Sequence, residues 1–96
     1  MTKIIVSPKV IDLINKYAFQ LSEFTGYKET GEKFKQQCYD VIESLTLFPE
    51  RCRQYVKYSD FRELIVGNHI ILYRYDRHID TVFISNIKNT KQEHYM

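Results

Sequence analysis

The polar C-terminal segment carries the side chains best suited to acid–base chemistry. These are Lys88, Lys91, His94 and Tyr95. A neighbouring His and Tyr can transfer protons, and a nearby Lys can hold a phosphate group. The alternative is a loose terminus without a role, because polar chain ends are often poorly ordered.

Arg62 and Arg74 are the next candidates, because they lie on two predicted neighbouring strands and could share one sheet face. There they would contact an acidic partner segment. The alternative is that they pair with Glu63, Asp76 or Asp80 as ordinary surface ion pairs, which contribute little to stability.

Cysteine and histidine spacing predicts neither a disulfide framework nor a metal site. Cys38 lies on an apolar helix stripe and should be a small buried residue, while Cys52 lies in a loop. Two cysteines suit a reducing cytoplasm, which is the expected location. His69, His78 and His94 do not pair at metal-binding intervals, so we expect no metal and no cofactor.

Length and composition predict one small globular domain. The chain has 96 residues, a net charge of +2, 44% hydrophobic residues and 15% aromatic residues. This length excludes large catalytic folds, and the mild charge does not demand a nucleic-acid partner. No segment has the roughly 20 apolar residues of a membrane-spanning helix.

The first half of the chain predicts a short strand and two helices. The strand covers residues 3–6, and Ser7-Pro8 then begins a helix that ends near Thr25-Gly26. A second apolar stripe predicts a helix from Lys28 to Leu47, which Pro49 stops. The short connection makes the two helices an antiparallel hairpin.

The second half predicts strands. We expect strands over residues 61–66, 69–75 and 79–85, with Gly67-Asn68 as a two-residue turn. Residues 86–96 lack periodicity and should form a polar tail after a domain of residues 1–86. The predicted fold is α+β, with an N-terminal strand and an antiparallel helical hairpin packed on a twisted antiparallel sheet.

Several stretches together resemble a known family. Phe48-Pro49-Glu50-Arg51, the sequence FRELIVGN at 61–68 and the sequence IILYRY at 70–75 resemble the RelE/ParE toxin superfamily, in particular its ParE, or plasmid-stabilisation, branch. The opening sequence IVSPK and the helical hairpin match too. The resemblance implies a small cytoplasmic bacterial toxin that is neutralised by a cognate antitoxin.

The superfamily contains two activities, and the sequence favours the one without cleavage. RelE-like members cut messenger RNA on the ribosome, whereas ParE-like members poison DNA gyrase without hydrolysis. RelE-like enzymes commonly carry catalytic cations at two positions. In this chain the first position is occupied by Ile70, and the second falls near Asn89, which is not a cation. We therefore expect a toxin that acts by binding, and no catalytic residues.

An antitoxin segment should dock in an apolar groove between the helices and the sheet. The expected groove residues, which could equally be core, are Leu13, Tyr17, Leu21, Phe24 and Tyr73, with Arg62 and Arg74 at the rim. DNA would be contacted only through the antitoxin complex, and no membrane is involved.

Two alternatives stay open. One is a ribosome-dependent endoribonuclease that uses Lys88, Lys91, His94 and Tyr95. The other is a non-toxic relative that only binds its antitoxin and regulates its own operon.

Overall fold

The structure, a computed structural model, describes residues 2–55, 57 and 60–90 of the chain. Its order is strand β1 (Lys3–Val6), helices α1 (Pro8–Thr25) and α2 (Lys28–Ser44), then strands β2 (Arg62–Val66), β3 (His69–Asp76) and β4 (Thr81–Asn89). The predicted α+β class and the helical hairpin on a sheet are confirmed.

Local signals at both ends of α1 explain its bounds. The Ser7 hydroxyl accepts a hydrogen bond from the Lys9 N–H at 3.3 Å, and Pro8 occupies the first helical position. At the other end, Gly26 adopts a left-handed conformation with φ of 80°. Its N–H donates to the Ser22 carbonyl, which closes the last turn.

The second helix is shorter than the sequence predicted. It ends at Ser44 and not at Leu47, because the next residues form a tighter turn. The Leu45 N–H donates to the Ile42 carbonyl and the Thr46 N–H to the Glu43 carbonyl, which is spacing of three residues. Pro49 is therefore not the residue that stops the helix.

The sheet is mixed, with the strand order β1-β4-β3-β2. Strands β2, β3 and β4 are antiparallel neighbours, as predicted, but β1 pairs with β4 in parallel. The prediction of a wholly antiparallel sheet was therefore wrong for β1. The chain passes through both helices after β1 before it reaches the later strands. Parallel strands need a connection of such length.

The last strand is longer than predicted and begins later. Residues 79–80 belong to the preceding turn, and β4 continues past residue 85 to Asn89, so the tail expected from residue 86 is strand at its start. A register shift between Leu72 and Tyr73 inserts one extra residue into β4. The shift breaks the alternation of apolar residues, so that buried Ile87 falls out of step with Val82 and Ile84.

The core lies between the helices and one face of the sheet. Alternate residues of each strand point into it, including Leu64, Ile71 and Ile84. We call the opposite surface the outer face; by register it carries Glu63, Ile65, Ile70, Leu72, Arg74, Phe83, Asn86 and Lys88. No helix in the described part of the chain is long and apolar enough to cross a membrane.

Candidate functional site

Most of the predicted groove residues on α1 pack toward the sheet. Tyr17 is buried, and Leu13 and Leu21 are half-buried against the core. Phe24 differs, because it is 89% exposed in the last turn of the helix. Of these four side chains, Phe24 is therefore the one fully available to another molecule.

A cavity of about 500 Å³ opens beside this end of the hairpin. It lies between the N-terminal half of α2 and the turn that joins β2 to β3. Its walls are partly apolar and partly polar; they include Leu21, Tyr27, Glu29, Lys33, Phe34, Val66 and His69. Such mixed walls suit an apolar anchor that is oriented by a few polar contacts.

The wall of this cavity includes His69, which also joins the helices to the sheet. Its ring centroid lies 4.8 Å from that of Tyr17 on α1 and 4.7 Å from that of Phe34 on α2. Burial lowers the pKa of His69, because a charged imidazolium would lose its hydration there. The sequence did not single out this histidine beyond excluding it as a metal ligand.

Tyr73 is fully buried among core residues, which agrees with the core alternative for this side chain. Arg62 stands opposite Tyr73 in the strand register and is half-buried. The Arg62 Nη1 donates to the Cys52 carbonyl oxygen at 2.6 Å, and its Nη2 lies 4.0 Å from Glu50. Arg62 thus holds the loop after α2 against the sheet.

Glu50 lies between two arginines. The Arg77 Nε and Nη2 donate to its two carboxylate oxygens at 2.5 and 2.7 Å. These hydrogen bonds, helped by the charges of Arg77 and Arg62, lower the pKa of the Glu50 carboxyl. From the sequence, the expected ion-pair partners of Arg62 and Arg74 were Glu63, Asp76 or Asp80; Glu50 was not identified as a partner.

Arg74 and Arg62 do not share a sheet face. Because Arg62 is in register with Tyr73, it lies on the helix-facing side, while Arg74 lies on the outer face. There the Arg74 guanidinium stacks over the Phe83 ring at 4.9 Å, and its Nη1 lies 3.9 Å from Asp76. The shared face was therefore wrong, since adjacent strand positions point to opposite sides.

The outer face holds the described member of the candidate nuclease group, Lys88. Its ammonium lies 5.8 Å from the centroid of the buried Tyr55 ring. On the same face, buried Glu63 forms an ion pair with Arg53. Lys91, His94 and Tyr95 lie outside the described residues.

The two positions at which the sequence departs from the RelE-like pattern lie on opposite sides of the sheet. Ile70 lies on the outer face, in register with Lys88, and Asn89 is in register with His69. Among the described residues, no group of three or more His, Cys, Asp or Glu side chains could hold a metal ion.

Comparisons with known proteins identify the family. Among curated proteins, no significant match is found. A family model described as the ParE toxin of type II toxin–antitoxin systems, parDE, matches residues 4–94. Because the match covers both helices and, except for Lys3, all four strands, the chain belongs to the ParE toxin family of type II toxin–antitoxin systems.

Proposed function

We propose that this protein inhibits growth by binding DNA gyrase, without cleaving a substrate, and that a cognate antitoxin silences it. The family membership supports a toxin with an antitoxin partner. The observation that carries the binding mode is a surface at one end of the helical hairpin, where exposed aromatic rings border a partly apolar cavity. We call it the hairpin-end surface; it consists of Leu21, Phe24, Tyr27, Lys33 and Phe34.

The hairpin-end surface combines a recess with two exposed rings. Leu21 and Phe34 line the cavity, and Tyr27, which is 68% exposed, stands at its edge. Phe24 follows Leu21 by about one helical turn and is more exposed still. Exposed aromatic rings beside a pocket are typical of protein-binding sites, since they lose water on contact with a partner.

The partner that suits this surface is an amphipathic segment of the antitoxin. Its apolar side chains would enter the cavity, as a helix does when it packs into a groove. Glu29 and Lys33 at the cavity wall would fix its orientation through charge. Arg74 is partly exposed on the outer face, across the sheet from this cavity, and stays a candidate for a separate antitoxin contact.

Replacement of the apolar Phe24 ring by a carboxylate tests this site. Phe24→Asp should reduce co-purification of the antitoxin encoded beside this chain by about tenfold or more, because a carboxylate cannot be buried without a partner. The fold should persist, since the side chain is almost fully exposed. The measurement is affinity capture of co-expressed antitoxin, followed by titration of the purified proteins.

Ile79→Asp is the matched control. Ile79 is also an exposed apolar residue, at 59%, but it lies in the turn between β3 and β4. It should leave antitoxin binding unchanged. Equal binding by the Phe24→Asp variant and the native chain would place the antitoxin elsewhere.

Lys88 gives the nuclease alternative one specific support, because it lies on the outer face beside Tyr55. Lys88 and Asn89 belong to β4, so a deletion of residues 88–96 would shorten this strand as well as remove the candidate catalytic residues. Two separate variants avoid this. One variant ends after Thr90, and the other is Lys88→Ala. We expect no messenger cleavage in a translation extract from either variant or from the native chain.

Cleavage by the native chain that is lost in the shortened variant would favour the nuclease. Normal growth on induction, together with retained antitoxin binding, would favour the non-toxic relative.

A further inference from the structure

The loop after α2 places a partly exposed thiol beside a buried hydroxyl. Cys52 is half-buried and packs against the core. Its backbone is held by the 2.6 Å hydrogen bond from Arg62, which stands opposite Tyr73 in the register. This hydrogen bond fixes the loop beside Tyr73, whose hydroxyl the Cys52 side chain contacts.

The Tyr73 hydroxyl has no hydrogen-bond partner among the described residues, although the side chain is fully buried. The Cys52 side chain lies against it, and burial together with this contact raises the pKa of Tyr73. A thiol sulfur is a weak acceptor, so it does not satisfy the hydroxyl. A buried donor without an acceptor is costly and uncommon, which makes this pair unusual.

An oxygen atom bonded to the Cys52 sulfur would supply the missing acceptor. We propose that Cys52 is a site of reversible oxidation, at which a small peroxide converts the thiol to a sulfenic acid that accepts a hydrogen bond from the Tyr73 hydroxyl. The Arg62 guanidinium, which donates to the Cys52 carbonyl, would stabilise any negative charge that develops on that oxygen.

The chemistry is complete with hydrogen peroxide as the co-reactant. The sulfur attacks one peroxide oxygen, the O–O bond breaks, and an S–O bond forms. The leaving hydroxide takes the thiol proton and departs as water. The sulfur loses two electrons and the peroxide gains them. A small thiol reverses the change through a mixed disulfide.

The second cysteine of the chain is a built-in comparison. Cys38 is fully buried on α2, and burial raises the pKa of its thiol from 9.0 to about 11. Such a shift leaves about 100-fold less of the reactive thiolate at neutral pH. Both cysteines are free, so each can be examined in the folded chain.

This site is separate from the proposed antitoxin surface. Arg62 and Cys52 lie at the start of β2, whereas Val66, at the other end of that strand, lines the cavity beside the hairpin-end surface. Failure of the oxidation test would therefore leave the proposed function intact, and the reverse also holds.

The test treats the folded full-length chain with hydrogen peroxide, traps sulfenic acid with dimedone, and locates the adduct by peptide mass spectrometry. Cys52 should carry the adduct with at least about tenfold preference over Cys38. Equal labelling of the two cysteines, or no adduct at Cys52, would overturn the proposal. Cys52→Ser should remove the adduct, and Cys38→Ser should keep it.

Tyr73→Phe tests the role of the hydroxyl. It should lower the yield of trapped sulfenic acid at Cys52 several-fold, because the acceptor oxygen loses its donor. The rate at which iodoacetamide alkylates reduced Cys52 should stay the same, which separates loss of the hydrogen bond from a change in access. An unchanged sulfenic acid yield, or an equally reduced alkylation rate, would overturn the assignment of Tyr73.

Discussion

Single residues of this protein are best understood from the polar groups that burial leaves unpaired or uncharged. Tyr73 and His69 are both buried side chains of β3; burial leaves the Tyr73 hydroxyl without a partner and disfavours the charged form of His69. Each therefore has a measurable consequence for stability. The sequence identified neither consequence, because an apolar strand pattern does not reveal which polar atom lacks a partner.

Tyr73→Phe should be neutral or stabilising, by up to about 1–3 kcal/mol, because it removes a buried hydroxyl without an acceptor. The measurement is the free energy of unfolding in urea under reducing conditions. Tyr75→Phe is the matched control. It should destabilise, because the Tyr75 hydroxyl donates to the Asp80 carboxylate at 2.7 Å. A marked loss of stability in Tyr73→Phe would show that its hydroxyl has a partner after all.

His69 should make the protein less stable as the pH falls below about 6.5. Burial lowers the pKa of His69 in the folded state, so the unfolded chain takes up the proton first. Stability from this group is therefore complete above pH 6.5 and decreases on acidification. Glu50 and Asp80, whose pKa values are also lowered by their hydrogen bonds, weaken the fold only at lower pH, near the ordinary range of carboxyl groups.

The free energy of unfolding, measured between pH 5 and 8, separates these contributions. His69→Phe, which keeps a ring between Tyr17 and Phe34, should remove the slope between pH 5 and 6.5. His78→Gln, in the turn after β3, should keep it. The same slope in His69→Phe and the native chain would exclude His69 as its source.

At the scale of elements, the helical hairpin depends on a close approach that only glycine allows. A side chain added at Gly31 on α2 would overlap the Ala18 carbonyl oxygen and the Ser22 hydroxyl on α1. That hydroxyl accepts a hydrogen bond from the Gly31 N–H at 3.0 Å and donates one to the Lys28 carbonyl at 3.1 Å. The contact fixes how α1 and α2 pack.

Gly31→Ala should therefore destabilise the protein by about 1–3 kcal/mol, although alanine favours helix more than glycine does. Thermal unfolding followed by circular dichroism provides the measurement. Glu32→Ala, one residue further along α2 on an exposed position, should change little. A Gly31→Ala variant as stable as the native chain would mean that the helices can separate without cost.

The elements themselves could largely be predicted from the sequence. The apolar stripe and the Ser7-Pro8 and Gly26 signals located α1, and Gly67-Asn68 located the turn between β2 and β3. The end of β4 could not be predicted, because the register shift at Leu72 and Tyr73 depends on pairing with another strand. For the same reason the parallel pairing of β1 was missed.

The candidate site was predictable only in part. Leu21 and Phe24 could be identified from the helical periodicity, and both contribute to the hairpin-end surface. The cavity beside them also needs Val66 and His69, which lie far away in sequence and come close only through packing. Tyr73 illustrates the opposite error, since an aromatic residue on a strand can equally line a groove or fill the core.

In the molecule as a whole, the hairpin end and the outer face differ in which side chains they leave available to a partner. The hairpin end exposes apolar rings beside a cavity, which suits capture of a polypeptide. On the outer face, Arg53 pairs with Glu63 and Arg74 stacks on Phe83, so these two cations already have partners. This division favours a toxin that acts through binding over one that cleaves RNA.

Induction of the native chain in bacteria, with gyrase-linked DNA breaks and messenger RNA cleavage measured in the same culture, distinguishes binding from cleavage. We predict that growth stops, that gyrase-linked breaks accumulate, and that messenger RNA stays intact. Cleaved messenger RNA without gyrase-linked breaks would mean that this protein acts as a nuclease and does not act by binding gyrase.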